Sequence, residues 1–177
     1  MKTDIKKKEL ELGRGSSLPE RSETPAEYKW KLEDIYETDE AWEKSFSDIK
    51  SRIPELAAYK GALAQSPEKM LEFFRLRDEL SIELGKLYVY ANMKSHEDTG
   101  DSKQQGPANR VSALAVEFSA AASYVTPEIL AMDEDKLKEF IAAPCLAEYA
   151  FPLRELLRQK AHVLTEAEEL ILARSGD

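Results

Sequence analysis

One cysteine, two histidines and seven glycines in 177 residues leave little of the usual material of an active site. A lone cysteine, Cys145, forms no intrachain disulfide and suits a reducing compartment. It follows Pro144 with no histidine nearby to lower its pKa, so it is not read as a nucleophile. No stretch approaches the roughly 18 consecutive apolar residues of a membrane-spanning helix. Lys6, Lys7 and Lys8 stand near the start without an apolar run behind them, so no secretory signal is expected, and the cytoplasm is the simplest location. The glycines form neither G-x-x-x-x-G-K nor G-x-G-x-x-G, which removes the phosphate-cradling loops. A basic surplus is missing too. The formal net charge is −9, whereas nucleic-acid binders carry a basic face, so neither nucleic acid nor a membrane is expected as a partner.

What is present is helix-forming material. Apolar residues make up 42% of the chain and charged residues 33%, which describes one soluble globular domain. Leu and Ala dominate the first group and Glu, Lys and Arg the second, all good helix formers. Residues 1–24 are polar and aperiodic and read as a flexible tail. Residues 25–36 form a strap with apolar anchors at Tyr28, Trp30, Leu32, Ile35 and Tyr36, and Trp30 is expected to be buried. From Asp39 a helical period begins. Trp42, Phe46, Ile49 and Ile53 share one face, with Thr38 or Asp39 as cap, a kink at Pro54 and an end near Gly61. Ser66-Pro67-Glu68 opens a second helix, which carries Phe73, Leu76, Leu80, Leu84, Leu87 and Ala91. Around Tyr88, Val89, Tyr90 and Met93 its apolar stripe widens almost all round, so this end expects neighbours on more than one flank.

The stretch SHEDTGDS, residues 95–102, reads as a turn. Pro107 is expected to open a third helix bearing Val111, Leu114 and Phe118, because Gly106-Pro107 should break or delay any earlier start. Thr126 caps a short fourth helix, and Asp133 caps a fifth with Leu137, Phe140 and Ile141. Phe151-Pro152 leads into a sixth with Leu153, Leu156 and Leu157. Thr165 and Glu168 form a capping box for a seventh that has almost no room before Asp177. No strand pattern and no internal repeat is visible. The fold class is all-α, a multi-helix bundle.

Chemistry finds no foothold in these residues. His96-Glu97 begins the zinc motif H-E-x-x-H, but its fifth position is Gly100, and His162 lies far away. Catalytic zinc takes three protein ligands. His96 reads as a turn residue and His162 as a structural one. Glu97, Asp98 and Asp101 lack the alternation of a calcium loop and read as a solvated acidic turn. Phe73, Phe74, Tyr88 and Tyr90 stand at helical spacing and read as core rather than groove. No position is assigned as catalytic, metal-binding or substrate-binding.

Four segments, in order, resemble the opening part of oligoendopeptidase F, a family of zinc metallopeptidases. They are KWKLEDIYETDEAW (29–42), LYVYANMKSHEDTGDS (87–102), SYVTPEIL (123–130) and YAFPLRELLRQKAHVLTEAEELILA (149–173). The last, with its Arg-x-Lys-x-His-x-Leu-Thr run, is the most specific. The resemblance implies that residues 25–177 form the N-terminal part of a larger helical fold around a channel that admits short peptides. It implies zinc in the full-length protein, held by H-E-x-x-H and a further glutamate several hundred positions downstream. None of these is in this chain, so no cofactor and no activity are expected of it alone, and its partners would be the C-terminal catalytic region and short peptides. The start signal at Thr165 then makes sense as a helix that the parent architecture continues. Two other readings stay open: a stand-alone helical module that binds peptides or a partner, and the remnant of a truncated gene.

Overall fold

A computed structural model describes residues 24–97 and 102–160. The helices are α1 (Asp39–Ala57), α2 (Pro67–Glu97), α3 (Ser102–Ala121), α4 (Val125–Ala131), α5 (Glu134–Ala142) and α6 (Ala150–Lys160). Short 3-10 turns stand at Ala26–Tyr28, Leu32–Asp34 and Pro144–Tyr149. Among the described residues there is no strand, and the all-α reading stands. No described helix is long and apolar enough to cross a membrane.

The long helix α2 is the spine. It packs along α1 and α3, which also touch each other, and the Pro144–Tyr149 turn lies against it. The small helices α4, α5 and α6 gather with that turn. Trp42, Phe46, Ile49, Ile53 and Leu56 are all buried on α1, the predicted face with one further residue. Thr38 caps α1, its hydroxyl accepting from the Ala41 amide at 3.2 Å. Ser66 caps α2 in the same way, accepting from the Lys69 amide at 3.2 Å. Asp133 caps α5 with bonds from the amides of Asp135 and Lys136. Pro54 sits inside α1, which ends at Ala57 rather than near Gly61. The chain then turns, and Gly61 takes φ +80°, a left-handed conformation that only glycine adopts without strain.

Several expectations are corrected. The 3-10 turns of the strap bury Leu32, but Trp30 is 51% exposed and Tyr28 75% exposed. Helix α3 starts at Ser102, five residues ahead of Pro107. Proline also restricts the residue before it, in part through that residue's Cβ, and Gly106 has none. The missing proline N–H deprives only the carbonyl of residue 103, close to the helix start. Helix α2 runs through Ser95, His96 and Glu97, so these three residues of the 95–102 stretch are helical rather than turn, and residues 98–101 lie outside the described residues. Thr126 is not a cap. Helix α4 begins at Val125, whose amide bonds to the Ala122 carbonyl at 3.1 Å as the chain leaves α3 still helical, so no side-chain cap is required. The tail at residues 1–23, and the predicted helix at Thr165 with Leu170, Ile171 and Leu172, lie outside the described residues.

Candidate functional site

The described chain is hollowed where the strap, the start of α1 and the end of α2 converge. One hollow of about 340 Å3 is lined by Trp30, Leu32, Glu33, Glu37, Glu97 and neighbours. A second of about 310 Å3 lies between Trp42, Glu43, Ala91 and Pro107. Asp39, Tyr90 and Lys94 line both.

These three side chains form the partition. The Tyr90 hydroxyl donates to Asp39 Oδ1 at 2.9 Å, and Lys94 Nζ donates to the same oxygen. The Lys94 ammonium holds the Asp39 carboxyl below the usual carboxylate range. Burial, then the bond to Asp39, pushes the Tyr90 phenol well above its ordinary value. Lys94 also lies over the Tyr90 ring, 5.5 Å from its centroid. Tyr36 meets Tyr90 edge to face at 5.4 Å. On the other side Arg110 of α3 grips Glu43 of α1 with two nitrogens, one at 2.8 Å, and spreads over Phe46 at 4.4 Å. That bond lowers the Glu43 pKa and raises that of Arg110. Trp42 sends its indole N–H to the Leu87 carbonyl at 3.0 Å.

These charged and phenolic groups are bonded to one another and tie α1 to α2 and α3. Among the described residues no group of three His, Cys, Asp or Glu side chains could hold a metal ion, so these residues do not fit a zinc site. His96 stands exposed on the last turn of α2. Cys145 is half-buried in the Pro144–Tyr149 turn against the core. Phe73, Phe74 and Tyr90 are core, as read, whereas Tyr88 is 46% exposed. Of the acidic turn only Glu97 is described, and Asp98, Asp101 and His162 lie outside the described residues.

One residue escaped the sequence reading. Glu128 stands in the first turn of α4, and the sequence gives it no role beyond that helix start. Its carboxylate instead crosses to the α1–α2 connection, accepting from the Gly61 and Leu63 amides at 2.8 Å each. Tyr124, four positions earlier, donates to the Leu56 carbonyl at 2.6 Å. The SYVTPEIL segment is thus a clamp on the end of α1. Gly61, read from the sequence as a helix end, marks a turn at this place but carries no signal of the Glu128 pairing.

Comparison with known proteins places this geometry. The family model described as Oligopeptidase F matches residues 128–177. Oligopeptidase PepF of Bacillus subtilis (strain 168) is 41% identical over 93% of this chain and 25% of its own length. Group B oligopeptidase PepB of Streptococcus agalactiae is 32% identical over 89% of this chain and 26% of its own. Among solved structures, a putative peptidase from Chlamydophila abortus superposes on 90% of this chain with a TM-score of 0.79 at 25% identity, using 27% of its own chain. Oligoendopeptidase-F from Enterococcus faecium covers 78% of this chain with a TM-score of 0.62 at 26% identity, and 28% of its own chain. The chain spans about a quarter of the length of the curated relatives it matches. In sequence over most of its length and in fold, it belongs to the oligopeptidase F family and corresponds to that family's N-terminal region.

Proposed function

We propose that this chain is the helical N-terminal region of an oligoendopeptidase F-type zinc peptidase that cuts short peptides. In that role it forms one wall of the substrate channel, controls access to it, and leaves catalysis to the C-terminal region. The observation that carries the reading is the 41% identity across 93% of this chain to a quarter of oligopeptidase PepF. The aromatic and acidic hollow beside α2, with its polar groups already bonded to one another, is suited to shaping a passage rather than to moving protons. Zinc, in this reading, sits outside this chain, on the region that supplies H-E-x-x-H, and the whole protein works in the cytoplasm.

The test is direct. The purified 177-residue chain is assayed for bound zinc by elemental analysis and for cleavage of quenched fluorescent peptides. The expected result is no stoichiometric zinc and no chelator-sensitive hydrolysis. The same chain, substituted for the matching quarter of Bacillus subtilis oligopeptidase PepF, is expected to give an active chimera. Tight zinc with cleavage by the chain alone, or a folded chimera without activity, overturns the reading.

A further inference from the structure

Helix α2 has one face that changes character along its length. At its lower end Phe74 and Asp78 point at the Pro144–Tyr149 turn: the Phe74 and Tyr149 rings lie 4.6 Å apart, and Tyr149 donates to Asp78 at 2.7 Å. One turn further on, helical periodicity brings Ser81, Ile82, Gly85, Tyr88, Val89 and Asn92 onto the same side. None of these six is charged, in a chain that is 33% charged. Ile82 is 62% exposed, and Tyr88 and Val89 are each 46% exposed. At the centre stands Gly85, in the middle of a 31-residue helix. Among the described residues nothing lies within 4 Å of the place where a Cβ would be. Glycine there weakens the helix relative to alanine, and no described contact calls for it.

The geometry points to this face as the seat of a helix from the part of the longer protein outside this chain, crossing α2 at Gly85. The inference rests on the N-terminal-region reading and names the surface through which that region joins the rest. About three quarters of each curated relative lies outside the matched segment, so a large body of chain must be placed against this one. The open face continues a face that is already covered by the Pro144–Tyr149 turn. It extends from Ser81 to Asn92, roughly 17 Å at 1.5 Å per residue, the footprint of a three-turn helix. A glycine at the crossing lets two helix axes approach closely. An extended peptide is a poorer occupant. The α2 backbone groups are consumed within the helix, Asn92 already donates to the Tyr88 carbonyl at 2.8 Å, and a peptide laid here would keep most of its own N–H and C=O groups unpaired.

The experiment compares Gly85→Ala and Gly85→Leu in two contexts: the isolated chain, and the chimera with the remaining three quarters of Bacillus subtilis oligopeptidase PepF. In the isolated chain Gly85→Ala is expected to raise the Tm by about 2–4 °C, because it improves helix propensity and meets nothing. In the chimera Gly85→Leu is expected to lower the Tm, with Val89→Glu doing the same, while peptide KM stays unchanged. Opposite signs in the two contexts support the seat, and a Tm gain from Gly85→Leu in both contexts overturns it. A fall on Gly85→Ala in the isolated chain also overturns it, because residues 1–23 or 161–177 would then cover the face. So does a changed KM at constant Tm, which would place the peptide there, or a dimer of the isolated chain that Val89→Glu dissolves. Failure of the reading beneath is distinguishable: the unsubstituted chimera would then melt in two transitions, with this chain at its isolated Tm.

Discussion

Replacing Glu128 by alanine removes both bonds that fix the α1–α2 connection. The Leu63 amide is partly buried, so it loses its acceptor without ready access to water. That loss costs about 1.5–2 kcal/mol. The Gly61 amide is exposed and rehydrates, so its loss costs about 0.5–1 kcal/mol. The sum, about 2–3 kcal/mol, corresponds to a fall in Tm of roughly 5–10 °C for a chain of this size. Glu128→Gln keeps one carbonyl oxygen as acceptor and is expected to cost about half as much. Calorimetry on the isolated chain gives the Tm. Amide exchange should show Leu63 losing more protection than Gly61, because only the former amide was shielded. A Tm within about 1 °C of the parent for Glu128→Ala would refute the clamp and remove the structural account of the SYVTPEIL segment.

The two tryptophans should report opposite environments: in Trp42→Phe the remaining Trp30 is expected to be readily quenched by acrylamide, and in Trp30→Phe the remaining Trp42 is expected to emit further to the blue and resist quenching. Alkaline stability should fall between pH 10 and 12. Burial pushes the Tyr124 and Tyr149 phenols up to about 12, with the Asp78 bond adding to the shift at Tyr149. The unfolded chain sheds these protons near the ordinary value of about 10 and the folded chain holds them, so stability is complete below pH 10 and lost towards 12. Urea titrations across that range should show a shallower decline in Tyr149→Phe, and an unchanged slope would refute the assignment.

The sequence made the long helices legible because their signals are local and periodic. Thr38, Ser66 and Asp133 cap as read, and the α1 stripe needs only the 3.6-residue repeat. What was illegible depended on partners distant in sequence. Glu128 reaches Gly61 and Leu63 across 67 and 65 positions, and Arg110 reaches Glu43 across 67. No periodicity encodes such pairings. Trp30 was misjudged because an aromatic anchor was assumed to find cover within the chain. Pro107 was misjudged because the proline rule was applied without its glycine neighbour. The hollow between the strap and α2 was invisible for the same reason as the ion pairs, since it exists only once three separate segments meet.

The turn of α2 around Gly85 shows how a helix tolerates a weak point. Glycine costs it about 0.8–1 kcal/mol against alanine. On the opposite side of the same stretch, the Trp42 indole N–H holds the Leu87 carbonyl, a buried bond at 3.0 Å. A helix carbonyl has a second lone pair for such a bond, which contributes about 0.5–1.5 kcal/mol. The two effects are of similar size and two residues apart, so the inner bond offsets the outer flexibility. They should therefore couple. Trp42→Phe keeps a ring in the core but drops the bond, at a cost of about 1–2 kcal/mol. Gly85→Ala should then stabilise the Trp42→Phe chain more than it stabilises the parent, by at least about 0.5 kcal/mol in a double-mutant cycle from urea unfolding. If the two changes add within about 0.3 kcal/mol, the indole bond does not brace this turn, and Gly85 is tolerated only because the rest of α2 is stable enough to carry it.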